Sequence, residues 1–171
     1  MEFHLGSLLS NGVVEIDRYE QIVKISSKNN DSTTKIIPYS EINTSNWGYI
    51  YERFVGQKYE SEGYSVEQVG LKKGFLDGGI DIVVSKEDFK AFLQCKFSTS
   101  DRVLGKQKIE WVLYNASSFL TKAYEGKRLN LWLVVPCLGM ISDCVKSYIF
   151  QKNDLQKMAK ISLVEIPMKV F

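Results

Sequence analysis

The residues from Asp77 to Lys96 read DGGIDIVVSKEDFKAFLQCK, and this stretch decides the fold. It contains two apolar runs of strand length, 80–84 and 91–97, separated by a polar hexapeptide. Two such runs joined by a short polar loop predict a β-hairpin. A glycine pair, Gly78-Gly79, precedes the first run and allows a tight turn there, because glycine adopts backbone angles that other residues avoid.

The alternation of side chains along the second run has a chemical consequence. Residues two apart in a strand share a face, so Gln94 and Lys96 are neighbours and Cys95 points the other way. Asp81, at the start of the partner strand, reaches the same corner if the strands pair near that end. A carboxylate, an amide oxygen and an ammonium group would then converge. Oxygen ligands of this kind suit a hard cation such as Mg²⁺, and a lysine beside the ion can orient water and balance charge on a phosphate.

This pattern resembles the PD-(D/E)xK nuclease superfamily, and specifically its Mrr-type restriction endonuclease branch. The resemblance rests on Gly79-Ile80-Asp81, on Gln94-Cys95-Lys96 and on Glu52 upstream, and it covers about residues 47–120. In that branch the usual glutamate of the E-x-K half-motif is a glutamine, as it is here.

The resemblance implies a set of roles for these residues. Asp81, Gln94 and Glu52 would bind the metal, with Mg²⁺ as the expected ion and Mn²⁺ as a substitute. Lys96 would act on the nucleophilic water, and Glu52 would complete the catalytic set from a helix. The implied activity is metal-dependent hydrolysis of DNA phosphodiester bonds by an endonuclease.

Other interpretations of the same residues stay open. A strand with glutamine and lysine on one face is often a solvated outer face, and Glu52 alone reads as an exposed helix residue. Asp77 is a second candidate carboxylate, ranked below Asp81 because it precedes the glycine turn and could simply stabilise it. Cys95 is interpreted as a small buried residue, since a catalytic thiol needs a nearby base and His4 is the chain's one histidine.

The patterns on either side of the hairpin predict an α/β fold. Asn43, Thr44 and Ser45 offer helix-capping side chains before a helix over about 46–62. Together with the hairpin, the later elements give a restriction-endonuclease-like core of order αβββαβ, with a mixed central sheet flanked by helices and a further αβ pair. The predicted elements after the first helix are a strand over 64–69, a loop over 71–76, a helix over about 104–125, a strand over 129–135, a helix from Ser142 to about 151, a helical turn near 154–158 and a strand over 161–166.

The first 44 residues form a separate unit in this prediction, and residues 45–171 form the nuclease domain. Three β-branched runs, 13–16, 21–25 and 35–39, predict a small β-hairpin or meander. Such a unit could pack against the core, touch DNA or mediate the pairing of two chains.

Composition narrows the class of protein. The chain has 171 residues with 44% apolar and 25% charged content, which is typical of a soluble globular protein with a single main domain. No apolar run approaches the length of a membrane span, and the first residues lack a secretory signal pattern, so we expect a cytoplasmic protein with no membrane partner. Three cysteines without a C-x-x-C pair argue against a zinc site, and no nucleotide cofactor is expected.

Charge distribution indicates where DNA would lie. The net charge is only +2, but residues 96–128 carry seven basic and three acidic residues, a local balance of +4. Candidate nucleic-acid contacts are Lys72 and Lys73 in the predicted loop, and Lys106 and Gln107 near a helix start, where anions are favoured. A homodimer is expected, because cutting both strands of a duplex usually needs two active sites.

Two other functions remain candidates. One is a structure-selective nuclease similar to Holliday-junction resolvases, and the other is a module that binds DNA or protein on the nuclease fold without cutting. Sequence specificity is not legible, since base readout depends on side chains placed in a groove, and an RNA substrate stays open.

Overall fold

The structure is a computed structural model that describes residues 5–28, 34–73, 79–99, 103–151 and 157–170. Its helices and strands follow the chain in an order that begins with a small sheet and continues with a larger one. The helices are α1 (Leu5–Ser10), α2 (Thr44–Ser61), α3 (Val69–Lys73), α4 (Lys106–Ala123) and α5 (Asp143–Gln151); the strands are β1 (Gly12–Asp17), β2 (Ile22–Ser27), β3 (Thr34–Pro38), β4 (Ser65–Gln68), β5 (Ile82–Lys86), β6 (Phe89–Cys95), β7 (Leu129–Val135) and β8 (Ala159–Glu165).

The larger sheet has five strands in the order β4-β5-β6-β7-β8. The first three strands pair antiparallel, and β6, β7 and β8 pair parallel, so the sheet is mixed. Parallel strands need a crossover connection, and α4 provides it between β6 and β7. The predicted mixed sheet flanked by helices, with a small antiparallel sheet before it, is confirmed.

Both faces of the large sheet are covered. One face packs against α2 through a cluster that includes Leu93 and Cys95 of β6. The opposite face, which includes Phe92, packs against α4 and α5. Residues of alternating direction in β6 are therefore buried on both sides, as a strand in the middle of a layered α/β fold must be. The interpretation of this strand as having a solvated outer face is wrong for Gln94, which is 4% exposed.

The small sheet, β1-β2-β3, packs against α2. The Gln57 side chain binds the edge of β1, accepting a hydrogen bond from Val14 N (2.5 Å) and donating one to Val14 O (2.9 Å). Arg53 is fully buried and donates from Nε to Gly12 O at 2.8 Å. Its other nitrogens bind both carboxylate oxygens of Glu60, at 3.0 and 2.7 Å, which compensates the cost of burying a charge.

Three local features differ from the sequence-based prediction. The hairpin strands run closer to the turn than expected, leaving the two-residue loop Glu87-Asp88 with Glu87 at a positive φ of 53°. Helix α3 stands where a loop over 71–76 was predicted, and α1 was not predicted at all. Both helices are too short for periodicity to reveal them, and both depend on packing: Leu5, Leu9 and Leu71 are buried in the α2 cluster.

Asn43 caps α2, accepting a hydrogen bond from Asn46 N at 2.8 Å, as the capping prediction required. The predicted helical turn near 154–158 lies mostly outside the described residues. No helix in the described part of the chain combines the length and apolar character needed to cross a bilayer.

Candidate active site

Asp81 lies one residue before β5 and is held by hydrogen bonds to the backbone of three residues and to the side chain of a fourth. Its N–H donates to Leu93 O at 2.9 Å, and its carbonyl accepts from Gly70 N at 2.8 Å. Its carboxylate oxygen Oδ2 accepts from Cys95 N at 2.6 Å and from Gln94 Nε2 at 2.5 Å. The side chain is 4% exposed. These bonds fix the orientation of the carboxylate and direct Oδ1 away from β6, towards Gly70.

Glu52 reaches the same place from α2. A Cβ atom added to Gly70 would lie 2.7 Å from Glu52 Oε2 and 3.3 Å from Asp81 Oδ1, so both carboxylate oxygens lie within 3.3 Å of one point. Only glycine leaves this point empty. The structure therefore brings Glu52 and Asp81 together at Gly70, a residue without a side chain, and their joint role in a site stays a prediction.

Gln94 is the penultimate residue of β6, and Lys96 follows the last residue of that strand, beside this pair. Gln94 turns its amide nitrogen, not its oxygen, towards Asp81, because the nitrogen is a donor and Asp81 Oδ2 is an acceptor; the same nitrogen lies 3.3 Å from Cys95 O. Lys96 is half-buried, and its backbone N–H donates to Val134 O at 2.9 Å, which continues the pairing of β6 with β7. The backbone hydrogen bond to β7 therefore fixes the position of Lys96 directly after β6.

The pKa of the Cys95 thiol depends on its burial and on the charged groups around it. Burial raises its pKa well above the usual range, the carboxylates of Asp81 and Glu52 raise it further, and the ammonium of Lys96 opposes them. The thiol is on the α2 face of β6, so these three charged groups converge around the end of that strand. A thiol held protonated in this way is a poor nucleophile, which supports the interpretation of Cys95 as a structural residue.

Comparison with known proteins finds one family model that matches the segment containing these residues. The family model described as restriction endonuclease, the Mrr catalytic domain, matches residues 46–125. Residues 46–125 are a restriction endonuclease domain of this family. No curated protein and no solved structure gives a significant match to the chain. The matched segment of the nuclease domain contains all four predicted catalytic residues, Glu52, Asp81, Gln94 and Lys96.

The donor atoms of the nuclease domain fit a hard divalent cation better than a soft one. Among the described residues, no group of three or more histidine, cysteine, aspartate or glutamate side chains is placed to hold a metal ion. The available set is two carboxylates, Asp81 and Glu52, beside the amide of Gln94. Mg²⁺ is commonly held by one or two carboxylates with water and substrate phosphate filling its other positions, so this set is sufficient for it.

The remaining predicted site residues that the structure describes are exposed lysine and glutamine side chains on α3 and α4. Lys72 is exposed on α3, two residues after Gly70. Lys106 and Gln107 are exposed in the first turn of α4, where Lys106 lies 4.7 Å from the ring centroid of Tyr148. Asp77 and the side chain of Lys73 lie outside the described part of the structure.

Gly70 and Gly79 shape the site. Sequence reasoning missed Gly70, because a glycine after a short strand reads as an ordinary loop residue. Gly79 was predicted to make a tight turn, and its φ of 77° confirms this. A Cβ at Gly79 would also lie 2.7 Å from Asn115 Cβ, so the turn before Asp81 sits directly against α4.

Proposed function

We propose that this nuclease domain is a metal-dependent, Mrr-like endonuclease that hydrolyses DNA phosphodiester bonds, with Mg²⁺ as the natural ion and Mn²⁺ as a substitute. The observation that carries the proposal is the meeting of the Asp81 and Glu52 carboxylates over Gly70, beside Gln94 and Lys96. Two carboxylate oxygens that face one small volume form part of an oxygen donor set, and a hard divalent cation prefers such ligands.

In this proposal each residue has a distinct task. Asp81, through Oδ1, and Glu52, through Oε2, would hold the ion, while Gln94 keeps Asp81 in place by donating a hydrogen bond to its Oδ2. We also propose Gln94 as a neutral ligand, which would use its amide oxygen because its nitrogen donates to Asp81. Lys96 orients the attacking water and balances the charge that builds on the phosphate. Bound there, Mg²⁺ supplies Lewis-acid polarisation of the phosphate oxygens.

The segment that follows Lys96 lines a cavity, which we propose as the approach for the DNA backbone. A cavity of about 510 Å³ adjoins the carboxyl ends of the parallel strands. Its lining includes Phe97, Ser98 and Thr99, which follow Lys96 in the chain, and Lys169 near the C-terminus. Crevices outside the carboxyl ends of strands are where α/β folds commonly bind ligands, which supports entry of the DNA backbone from this side.

A cleavage assay tests the proposal. The wild-type chain is incubated with duplex DNA, single-stranded DNA, a four-way junction and RNA, with Mg²⁺, with Mn²⁺ or with EDTA. Asp81→Asn preserves an acceptor for Cys95 N but removes the charge, and Lys96→Ala removes only the ammonium; both should abolish cutting while the fold is kept. Lys90→Ala, which changes an exposed lysine in the hairpin away from the site, is the matched control and should cut normally.

The pattern of substrates separates the candidate functions. Metal-dependent cutting of linear duplex supports the endonuclease, and a preference for the junction favours the resolvase-like function. DNA binding that ignores metal and survives Lys96→Ala, without any cutting, would replace the enzyme with a binding module. Light scattering on the free and DNA-bound chain tests the proposed homodimer in the same samples.

A further inference from the structure

We propose that the outer side of the first half of α4, which carries Lys108, Trp111 and Tyr114 and is here called the α4 face, binds unpaired nucleotides beside the active site. This inference rests on the proposed nuclease function and specifies its substrate class: nucleic acid with single-stranded or unpaired segments. It concerns residues other than those that hold the ion.

The two aromatic side chains of the α4 face are strongly exposed. Trp111 is 59% exposed and Tyr114 is 75% exposed, while the apolar stripe of the same helix, which includes Ile109 and Leu113, is buried against the sheet. The aromatic residues therefore contribute nothing comparable to the core. The Lys108 ammonium lies 5.5 Å from the ring centroid of Trp111, so a cation and an aromatic ring are presented together.

The position of the α4 face follows from the topology. Because α4 connects the carboxyl end of β6 to β7, its first half lies at the end of the sheet where Gln94 and Lys96 are. The backbone of α4 at Asn115 packs against Gly79, two residues before Asp81. Trp111 lies four residues before Asn115, about 6 Å along the helix axis. A strand whose phosphate occupies the site therefore passes the α4 face within a few nucleotides.

The chemistry of the α4 face favours unpaired nucleotides over duplex. Aromatic side chains stack on nucleobases, but the faces of paired bases are already covered by their neighbours in the duplex. Lysines beside the rings attract the phosphate backbone without reading sequence. The first three turns of α4 carry Lys106 and Lys108 against a single acid, Glu110. Charge and stacking are thus combined as single-strand binders combine them.

A second copy of the chain fits the α4 face less well. The aromatic residues alternate with polar ones, since Gln107, Lys108 and Ser118 are all exposed on the same side of the helix. Stable protein interfaces depend on an apolar centre from which lysine is depleted. A face with a lysine against its tryptophan matches a polyanion better than another protein surface.

Binding measurements on the full chain test the inference without cutting. Fluorescence anisotropy in EDTA, in an Asp81→Asn background, compares a labelled thymidine 12-mer, a uridine 12-mer and a blunt duplex. Trp111→Ala and Tyr114→Ala should each weaken single-strand binding about tenfold, the usual size of one stacking contact, and change duplex binding less than about twofold. The two 12-mers distinguish DNA from RNA as the natural strand.

Two matched variants isolate stacking. Tyr19→Ala removes another exposed aromatic residue, 83% exposed with Arg18 over its ring at 4.9 Å, but from the small sheet, and should bind as the parent does. Trp111→Phe keeps a stacking ring and should retain affinity, while losing the quenching of tryptophan fluorescence by bound single strands. Trp47 is buried at 4% exposure and Trp132 is half-buried, so the exposed tryptophan dominates that quenching.

The outcomes separate this inference from the proposed hydrolase. Single-strand binding that depends on Trp111 in a chain that never cuts DNA keeps the α4 face and removes the enzyme. Metal-dependent cutting, with single-strand affinity unchanged in both alanine variants, keeps the enzyme and overturns the α4 face. A wild-type dimer that Trp111→Ala converts to a monomer, with unchanged single-strand affinity, assigns the face to a second copy instead.

Discussion

Replacing Gly70 with alanine tests whether the empty point between the two carboxylates matters for catalysis. The added Cβ would lie 2.7 Å from Glu52 Oε2, 3.3 Å from Asp81 Oδ1 and 3.3 Å from Asp81 Cα. Asp81 cannot retreat, because its backbone is bonded to Leu93 and Gly70 and its side chain to β6. The flexible end of Glu52 must therefore move, by about 0.7 Å, to reach ordinary contact distance.

The size of the effect follows from two opposing terms. Overpacking a tight site costs about 1–3 kcal/mol, while alanine in place of glycine within a helix returns about 0.5–1 kcal/mol. We expect a net loss of about 1–2 kcal/mol of unfolding free energy, or roughly 2–8 °C in melting temperature for a chain of this size. Catalysis should suffer more, because a misplacement approaching 1 Å can cost about a hundredfold; we expect cleavage to fall about 10- to 100-fold.

The assay pairs denaturant unfolding with a cleavage time course in Mg²⁺. Gly48→Ala, one turn before Glu52 with open space around the new Cβ, is the matched control and should be stabilised by about 0.5–1 kcal/mol. In a Glu52→Ala background, Gly70→Ala should no longer lower the free energy of unfolding, because the carboxylate oxygen that the new Cβ would approach is absent. A Gly70→Ala enzyme with wild-type cleavage, or an equal penalty in both backgrounds, would refute the proposed meeting of Glu52 and Asp81 over Gly70.

The other predictions concern three further side chains. Gln94→Glu replaces the donor to Asp81 with a second acid, so the melting temperature of the metal-free protein should fall as pH rises above about 4. Mg²⁺ should restore the melting temperature and should bind this variant more tightly than wild type. Calorimetric titration that shows equal or weaker Mg²⁺ binding would contradict this. Burial acts to raise the pKa of Glu60, but hydrogen bonds from Arg53 and Lys28 outweigh burial and lower that pKa. The ionised Glu60 carboxylate therefore stabilises the fold at pH values above the ordinary pKa of 4.5, and this stabilisation is lost as pH falls through the lowered pKa of the folded state. Glu60→Gln should thus be about 3–5 kcal/mol less stable than wild type at pH 7, with the gap narrowing towards pH 3 in urea unfolding curves. Cys95 is buried with a raised pKa while the other two cysteines are exposed, so alkylation of native protein followed by mass spectrometry should modify two thiols quickly and the third only on unfolding.

The sequence by itself determined the elements whose contacts are local. The hairpin brings Asp81 to Gln94 because its two strands are adjacent in the chain, and a period of two then puts Lys96 on the same side. The apolar run 129–135 predicted β7 with its observed bounds, since a strand buried on both faces needs no polar alternation. Each of these inferences uses interactions within about twenty residues, where pattern and turn chemistry dominate.

Only the tertiary structure decided which long-range neighbours meet. Glu52 is separated from Asp81 in the chain by β4 and α3. Their approach depends on how α2 packs against Gly70, a residue that the sequence pattern did not single out. Gln94 could be read as solvated until α4 and α2 were seen to cover both faces of the sheet. Arg53 is buried only because the small sheet packs over α2, where Gly12 O accepts its Nε–H. In each case the free energy of burying the side chain decides its position. That burial requires several helices and strands to pack together, so no single segment of the sequence reveals it.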